Sequence, residues 1–177
     1  MNIFAASGVV VGMLVGVLLI VVLFKFANTN HVVKTEYDER QQVLRYKGYM
    51  VGFYAAIIYE VIMLLISIAE IEIPAEAYVI HFGAIMAGAM ALAIHSIWND
   101  VYWGLNNNTK RYIAVFVILF LINAAAVVRA VMAGTLVEDG KLAAASVNLL
   151  VAAMILVIGI VLLIKQAADK KAQANED

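Results

Sequence analysis

Five side chains able to hydrogen-bond or ionise interrupt long apolar stretches of this chain: Glu60, His81, Asn123, Arg129 and Asn148. Polar groups at membrane depth are expensive to bury in lipid, and that cost makes them functional candidates. Counted from the centres of their apolar runs at about 1.5 Å per residue, Glu60 and Asn123 fall near mid-depth. His81, Arg129 and Asn148 fall roughly 8–9 Å towards one side by the same count. Two kinds of chemistry follow. In one, Glu60 pairs with Arg129 while His81 or Asn148 completes the hydrogen bonding, and the pair fixes helix register. In the other, Glu60 exchanges a proton or cation during transport, with His81 as relay. A third outcome has Arg129 snorkelling outward without meeting Glu60.

Enzyme chemistry finds no foothold, and no catalytic residue is assigned. Ser7, Ser67, Ser96 and Ser146 lack a matching set of base and acid. Cysteine is absent, so there is no thiolate nucleophile and no cysteine metal site. No His-Glu-x-x-His motif occurs. His81 and His95 share a helical face but stand about 21 Å apart along the axis, too far to hold one ion. No glycine-rich loop precedes a Lys-Ser/Thr pair to cradle phosphate. Neither a metal nor a cofactor is expected. The net charge of −1 argues against nucleic acid, which calls for a basic face.

The elements that must position these groups are transmembrane helices. The 177 residues are 65% hydrophobic, with a mean hydropathy of +0.94, far above the soluble norm of roughly 45–50% apolar. A bilayer core of about 30 Å needs about 20 apolar residues as helix. Five runs qualify: 3–26, 48–69, 75–98, 112–133 and 142–164. They are continuous rather than alternating, which argues against strands. The lone proline, Pro74, falls between the second and third runs. Together the runs form a single helical domain, 1–164, followed by a polar tail, 165–177, expected to fray.

Orientation follows from the basic residues. Lys25, Lys34, Arg40, Arg45 and Lys47 follow the first run, Lys110 and Arg111 the third, and Lys165, Lys170 and Lys171 the fifth. The alternate loops hold Lys141 alone, with Glu70, Glu72 and Glu76 nearby. The basic side should be cytoplasmic, which puts the N-terminus outside and the C-terminus inside. Tyr46, Tyr49, Trp98, Tyr102, Trp103 and Tyr112 collect at that inner interface. The first run lacks a basic n-region and is too long for a signal peptide, so it reads as a retained anchor.

Packing signals lie in Gly8, Gly12 and Gly16 of the first run, a doubled small-xxx-small ridge, answered by Ala84, Gly88 and Ala91 in the third. Such ridges let helix backbones approach, either within the chain or at a dimer seam. Between the first two runs, Thr35 is placed to cap a helix. That helix should be amphipathic and run into the second span.

Two signatures fall on the cytoplasmic side. One is Asp38-Glu39-Arg40-Gln41 followed by Lys47; the other is Trp98-Asn99-Asp100-Val101-Tyr102, leading to Leu105 and Asn106. Together they resemble those of a group of small multi-pass membrane proteins common in Firmicutes. Members carry an Asp-Glu-Arg-Gln run before a helix and a Trp-Lys-Asp-Ala-Tyr-Phe-like run at a later helix end. Asn99 departs from the usual Lys, and Trp103 from the usual Phe. The resemblance covers the second to fourth spans and implies a bacterial membrane protein with no assigned activity. Asp38 or Glu39 can pair with Arg45 or Lys47 within the helix, or Asp100 can instead meet Arg40 or Lys47 from the next loop, and the signatures serve as helix-end anchors or as a docking patch.

The expected fold is therefore an all-α integral membrane bundle of five helices in a bacterial cytoplasmic membrane. The expected function is non-enzymatic, accessory or regulatory, through a membrane or cytoplasmic protein partner or a homo-oligomer within the lipid bilayer. The alternative is a small proton- or cation-coupled transporter or channel using Glu60.

Overall fold

The computed structural model describes residues 3–174; in the first helix, side chains are described at 11 and from 14 onward. The chain is all-α, apart from one short hairpin. The helices are α1 (Ile3–Ala27), α2 (Glu39–Ile68), α3 (Ala77–Trp98), α4 (Thr109–Ala133) and α5 (Ser146–Ala174). Helices α2, α3, α4 and α5 are each long and apolar enough to cross a membrane; in α1 the stretch Leu14–Ala27 is a shorter apolar helix. Most of their large apolar side chains are exposed, Leu18, Phe53, Leu65, Ile122 and Leu163 among them. That is the surface a lipid solvent favours and water does not.

The expected helical lead-in to the second span is present, since α2 begins at Glu39 and runs unbroken through the apolar stretch, but Val43 and Tyr46 on it are exposed. Thr35 is not its cap, since it lies four residues before the helix starts. The fifth helix differs more. Leu142 belongs to a strand, the helix starts at Ser146, and it continues ten residues past Ile164 to Ala174. The expected fraying tail is thus helical throughout its described part. An i,i+4 ion pair, Lys165 Nζ to Asp169 Oδ1 at 2.7 Å, supports it there.

Three helices stop in the same way. At the end of α3, Asp100 takes a left-handed conformation (φ 59°). Its N–H bonds to the Ile97 carbonyl, and the Val101 N–H bonds to the Ser96 carbonyl. This is the Schellman arrangement. Glu70 (φ 56°) ends α2 through bonds to Ser67 and Ile66, and Gly134 (φ 70°) ends α4 through bonds to Val131 and Ala130. Glycine is the usual occupant, so the two acidic residues carry backbone strain that Gly134 does not.

After α4, strands β1 (Val137–Glu138) and β2 (Lys141–Leu142) form an antiparallel hairpin. Its two-residue turn, Asp139-Gly140, has positive φ at both positions, 49° and 77°, as a type I′ turn requires. Leu142 also bonds to Pro74 and Glu76, so the α4–α5 connection meets the α2–α3 connection.

The chain divides into two compact units. The first joins residues 1–38 to 103–115, and the second holds 39–102 and 116–177. In the first, an asparagine knot ties the end of α1 to the start of α4. Asn28 is fully buried. Its Oδ1 accepts from Asn107 Nδ2 at 2.7 Å and Tyr112 Oη at 2.9 Å, and its Nδ2 donates to the Val32 carbonyl at 2.7 Å. Asn106 Oδ1 accepts the Glu36 N–H, while its Nδ2 donates to Asn30 Oδ1 and the Lys34 carbonyl. Gly104 passes so close to Thr35 and Glu36 that any Cβ would collide with them.

The second unit is a helical bundle built on α2, α3 and α5. Ala93 and Ile97 of α3 pack with Ile158 of α5, flanked by Tyr102 and Met154. The α2–α3 seam is closer. A Cβ on Gly52 would sit 2.8 Å from the Gly88 carbonyl oxygen, and one on Gly88 would sit 2.9 Å from that of Gly52. The backbones touch there, as small-xxx-small packing permits. Gly88 therefore answers Gly52 and Ala56 of α2. Gly8 and Gly12 of the α1 ridge lie outside the described side chains. A Cβ on Gly16 would meet nothing within 4 Å.

Candidate functional site

The Gly52–Gly88 contact sets the register of everything above it on this antiparallel pair. Eight residues along α2 from Gly52 is Glu60; seven residues back along α3 from Gly88 is His81. At about 1.5 Å per residue, these distances differ by only about one and a half ångströms. The two side chains meet: His81 Nδ1 lies 3.0 Å from Glu60 Oε1 and 3.2 Å from Oε2. The depth offset counted from span centres disappears, because the glycine seam, not the span midpoint, fixes the stagger.

One residue nearer the seam on α2 and two on α3, the Tyr59 ring covers Gly83 closely enough to fill the place of a Cβ. Away from the seam, α2 and α3 diverge around a groove of about 580 Å³. Glu60, His81, Glu70 and Glu72 line it, and Leu64 and Ile80 are among its apolar walls. No Lys or Arg lines it. The Glu60 side chain stays 41% exposed and that of His81 67% exposed. The pair is therefore accessible to a further ligand, and it is a weak stabiliser in its own right.

The remaining expected polar residues do not join this pair. Arg129 is exposed on α4, in a shallow dent formed with Ala125, Val128, Met132 and Ala133. It forms no ion pair among the described residues, so the expected Glu60–Arg129 pairing is replaced by Glu60–His81. Asn123 satisfies itself by donating to the Leu119 carbonyl at 2.8 Å, one turn back. Asn148 lies in the first turn of α5 and reaches the Ala145 carbonyl at 3.5 Å. His95 does share the α2-facing side of α3 with His81. It packs beside Gly48, where a Cβ would lie 3.1 Å from its Nδ1, and that buried nitrogen has no hydrogen-bond partner among the described residues. No group of three or more His, Asp or Glu able to hold a metal occurs among the described residues.

At the other end of the second unit the signature residues converge on the α3 terminus. Asp100 pairs with Lys165 of α5 at 3.1 Å, rather than with Arg40 or Lys47. Lys165 bridges Asp100 and Asp169. The Asp169 carboxylate first, and Asp100 second, hold the Lys165 ammonium above its ordinary value. Its position, one residue past the apolar run of α5, carried no signal of this contact. Arg45 donates to the carbonyl of the fully buried Val101 at 3.3 Å and to Tyr49 Oη at 3.1 Å. Tyr102 stacks near Phe116, and Trp98 stays exposed. Glu39, Arg40 and Lys47 are exposed, and Gln41 is half-buried. Asp38 falls in the first unit.

Compared with protein-family models, with curated proteins and with solved structures, the chain finds no match. Its function rests on the geometry above.

Proposed function

We propose that this chain is a multi-pass protein of a bacterial cytoplasmic membrane, with its basic loops inside and α1 as a fifth crossing. It acts without catalysis of its own, as an accessory or regulatory component that engages a second membrane component. The observation that supports this reading is Arg129. It is a cation on an otherwise apolar helix face, exposed and without an ion pair among the described residues. Such a group costs several kcal/mol at depth unless a carboxylate, a phosphate or water meets it. The resemblance of the two signatures to those of small Firmicutes membrane proteins supports the bacterial setting.

The test is the mass of the tagged protein extracted from its native membrane in mild detergent, wild type beside Arg129→Gln. A stoichiometric second protein or a homo-oligomer, weakened by the substitution, is the expected result. A monomer carrying only lipid in both samples rules the reading out.

A second reading is favoured by the Glu60–His81 pair: proton- or cation-coupled transport through Glu60. The groove is one-sided, because the Gly52–Gly88 contact closes the α2–α3 seam beyond it. Conduction would then require a path between copies. Glu60→Gln abolishes flux in liposomes on this reading while leaving the protein folded; undiminished flux excludes it.

A further inference from the structure

Arg129 and the Glu60–His81 groove are unsatisfied in complementary ways. The groove is lined by three carboxylates and no Lys or Arg, and the Glu60 carboxylate meets only an exposed histidine. The α4 face offers one cation among small and apolar side chains. Along that face Ala125, Arg129 and Ala133 form a single i,i+4 row, smooth enough for a neighbouring helix to approach. Val128 and Met132 beside it are exposed, Met132 at 84%.

The two features also lie towards the same end. The α2–α3 and α4–α5 connections meet at Leu142, so α2 and α4 both run towards that end of the second unit. Glu60 lies eight residues before the end of α2 and Arg129 four before the end of α4, about 12 and 6 Å below those ends. Glu70 and Glu72 lie just past the end of α2. A guanidinium entering the groove would stand between Glu60 and Glu70. Copies in one bilayer share a plane, so sideways association keeps both features towards the same end.

We infer that the α4 face bearing Arg129 docks into the Glu60–His81 groove of a second copy of this chain. The inference rests on the assembling-protein reading above and names its occupant. Charge complementarity selects a second copy: donor face and acceptor groove lie on one sequence, towards one end, and do not satisfy each other within the chain. Because face and groove are different surfaces, the contact is head-to-tail and propagates until it closes as a ring. The guanidinium would donate to both Glu60 oxygens, releasing His81 from its present contact.

The natural absence of cysteine makes the test free of background. Full-length Leu64→Cys, at the groove wall, and full-length Val128→Cys, beside Arg129, are given different tags, co-reconstituted in liposomes and oxidised. The expected result is a disulfide-linked species carrying both tags. Its yield falls about ten-fold in an Arg129→Gln or Glu60→Gln background, the scale of one interhelical polar contact in lipid. It returns when Glu60→Arg and Arg129→Glu are combined. A mixed-tag species indifferent to both charge substitutions overturns the proposal, as does its absence. Native mass spectrometry separates the two failures. An oligomer that persists without the 64–128 link removes this contact and keeps assembly; a monomer removes both. A monomer in which Arg129→Gln lowers the retention of phospholipid assigns the guanidinium to headgroup phosphate and likewise overturns the proposal.

Discussion

The asparagine knot and the Glu60–His81 groove are both polar clusters in a largely apolar chain, and they spend their hydrogen bonds oppositely. In the knot, the Asn28 and Asn106 side chains each accept and donate within the chain, and both residues are buried. In the groove, two ionisable side chains share one contact and remain accessible. Saturated polar groups specify a fold, because any substitution strands their partners. Under-used ones contribute little to the fold and keep their capacity for something else.

The largest effect should come from the knot. Asn28→Ala takes one acceptor from both Asn107 and Tyr112 and the side-chain donor from the Val32 carbonyl, and should cost about 2–4 kcal/mol, read as a fall in unfolding temperature in detergent. A loss as small as that at a surface position would show that water replaces the asparagine and that the knot is not a sealed cluster. Next is the seam that sets the groove. Gly52→Ala pushes a Cβ to within 2.8 Å of the Gly88 carbonyl, and should destabilise by about 1–3 kcal/mol. It should also lengthen the Glu60–His81 distance, measurable between spin labels on α2 and α3. Unchanged stability and spacing would mean that the seam does not fix the register.

Smaller effects should mark the groove itself. Glu70→Gly removes the left-handed strain and should stabilise by about 0.5–1 kcal/mol; a destabilised protein would show that the Glu70 carboxylate has a structural partner. Glu60→Gln should change stability by less than about 1 kcal/mol, and a loss comparable to that of Asn28→Ala would erase the contrast between the two clusters. The smallest concerns Lys165. Its ammonium is held above the ordinary 10.5, so its contribution is complete below that value and is lost only as pH rises through the raised one. Wild type and Lys165→Met should therefore keep a constant stability difference from pH 7 to 9. A difference that collapses within that window would show that the bridge is governed by another group.

Much of this architecture is legible in the chain. Hydropathy and length place the apolar stretch of each helix, because a run of about 20 apolar residues has few alternatives, but not the ten-residue extension of α5 beyond Ile164. Partner choice is less legible. The Glu60–His81 contact depends on stagger, which Gly48, Gly52 and Ala56 encode at four-residue spacing just as plainly as Gly8, Gly12 and Gly16 advertise a ridge. The hairpin had a local signal too, in Asp139-Gly140 between β-prone neighbours. The asparagine knot had none, since its members lie more than seventy residues apart and asparagine reads equally well as loop. The Asp100–Lys165 bridge is likewise invisible to composition, because several acids and bases near the same level offer equivalent pairings until packing selects one.

The unbroken course of α5 past Ile164 has a geometric consequence. Ten further residues form a rigid arm about 15 Å long, clamped at its base by Lys165 to the strained end of α3. A molecule bound near Ala174 would therefore sit on a helix continuous with the Lys165–Asp100 bridge, about 15 Å from it.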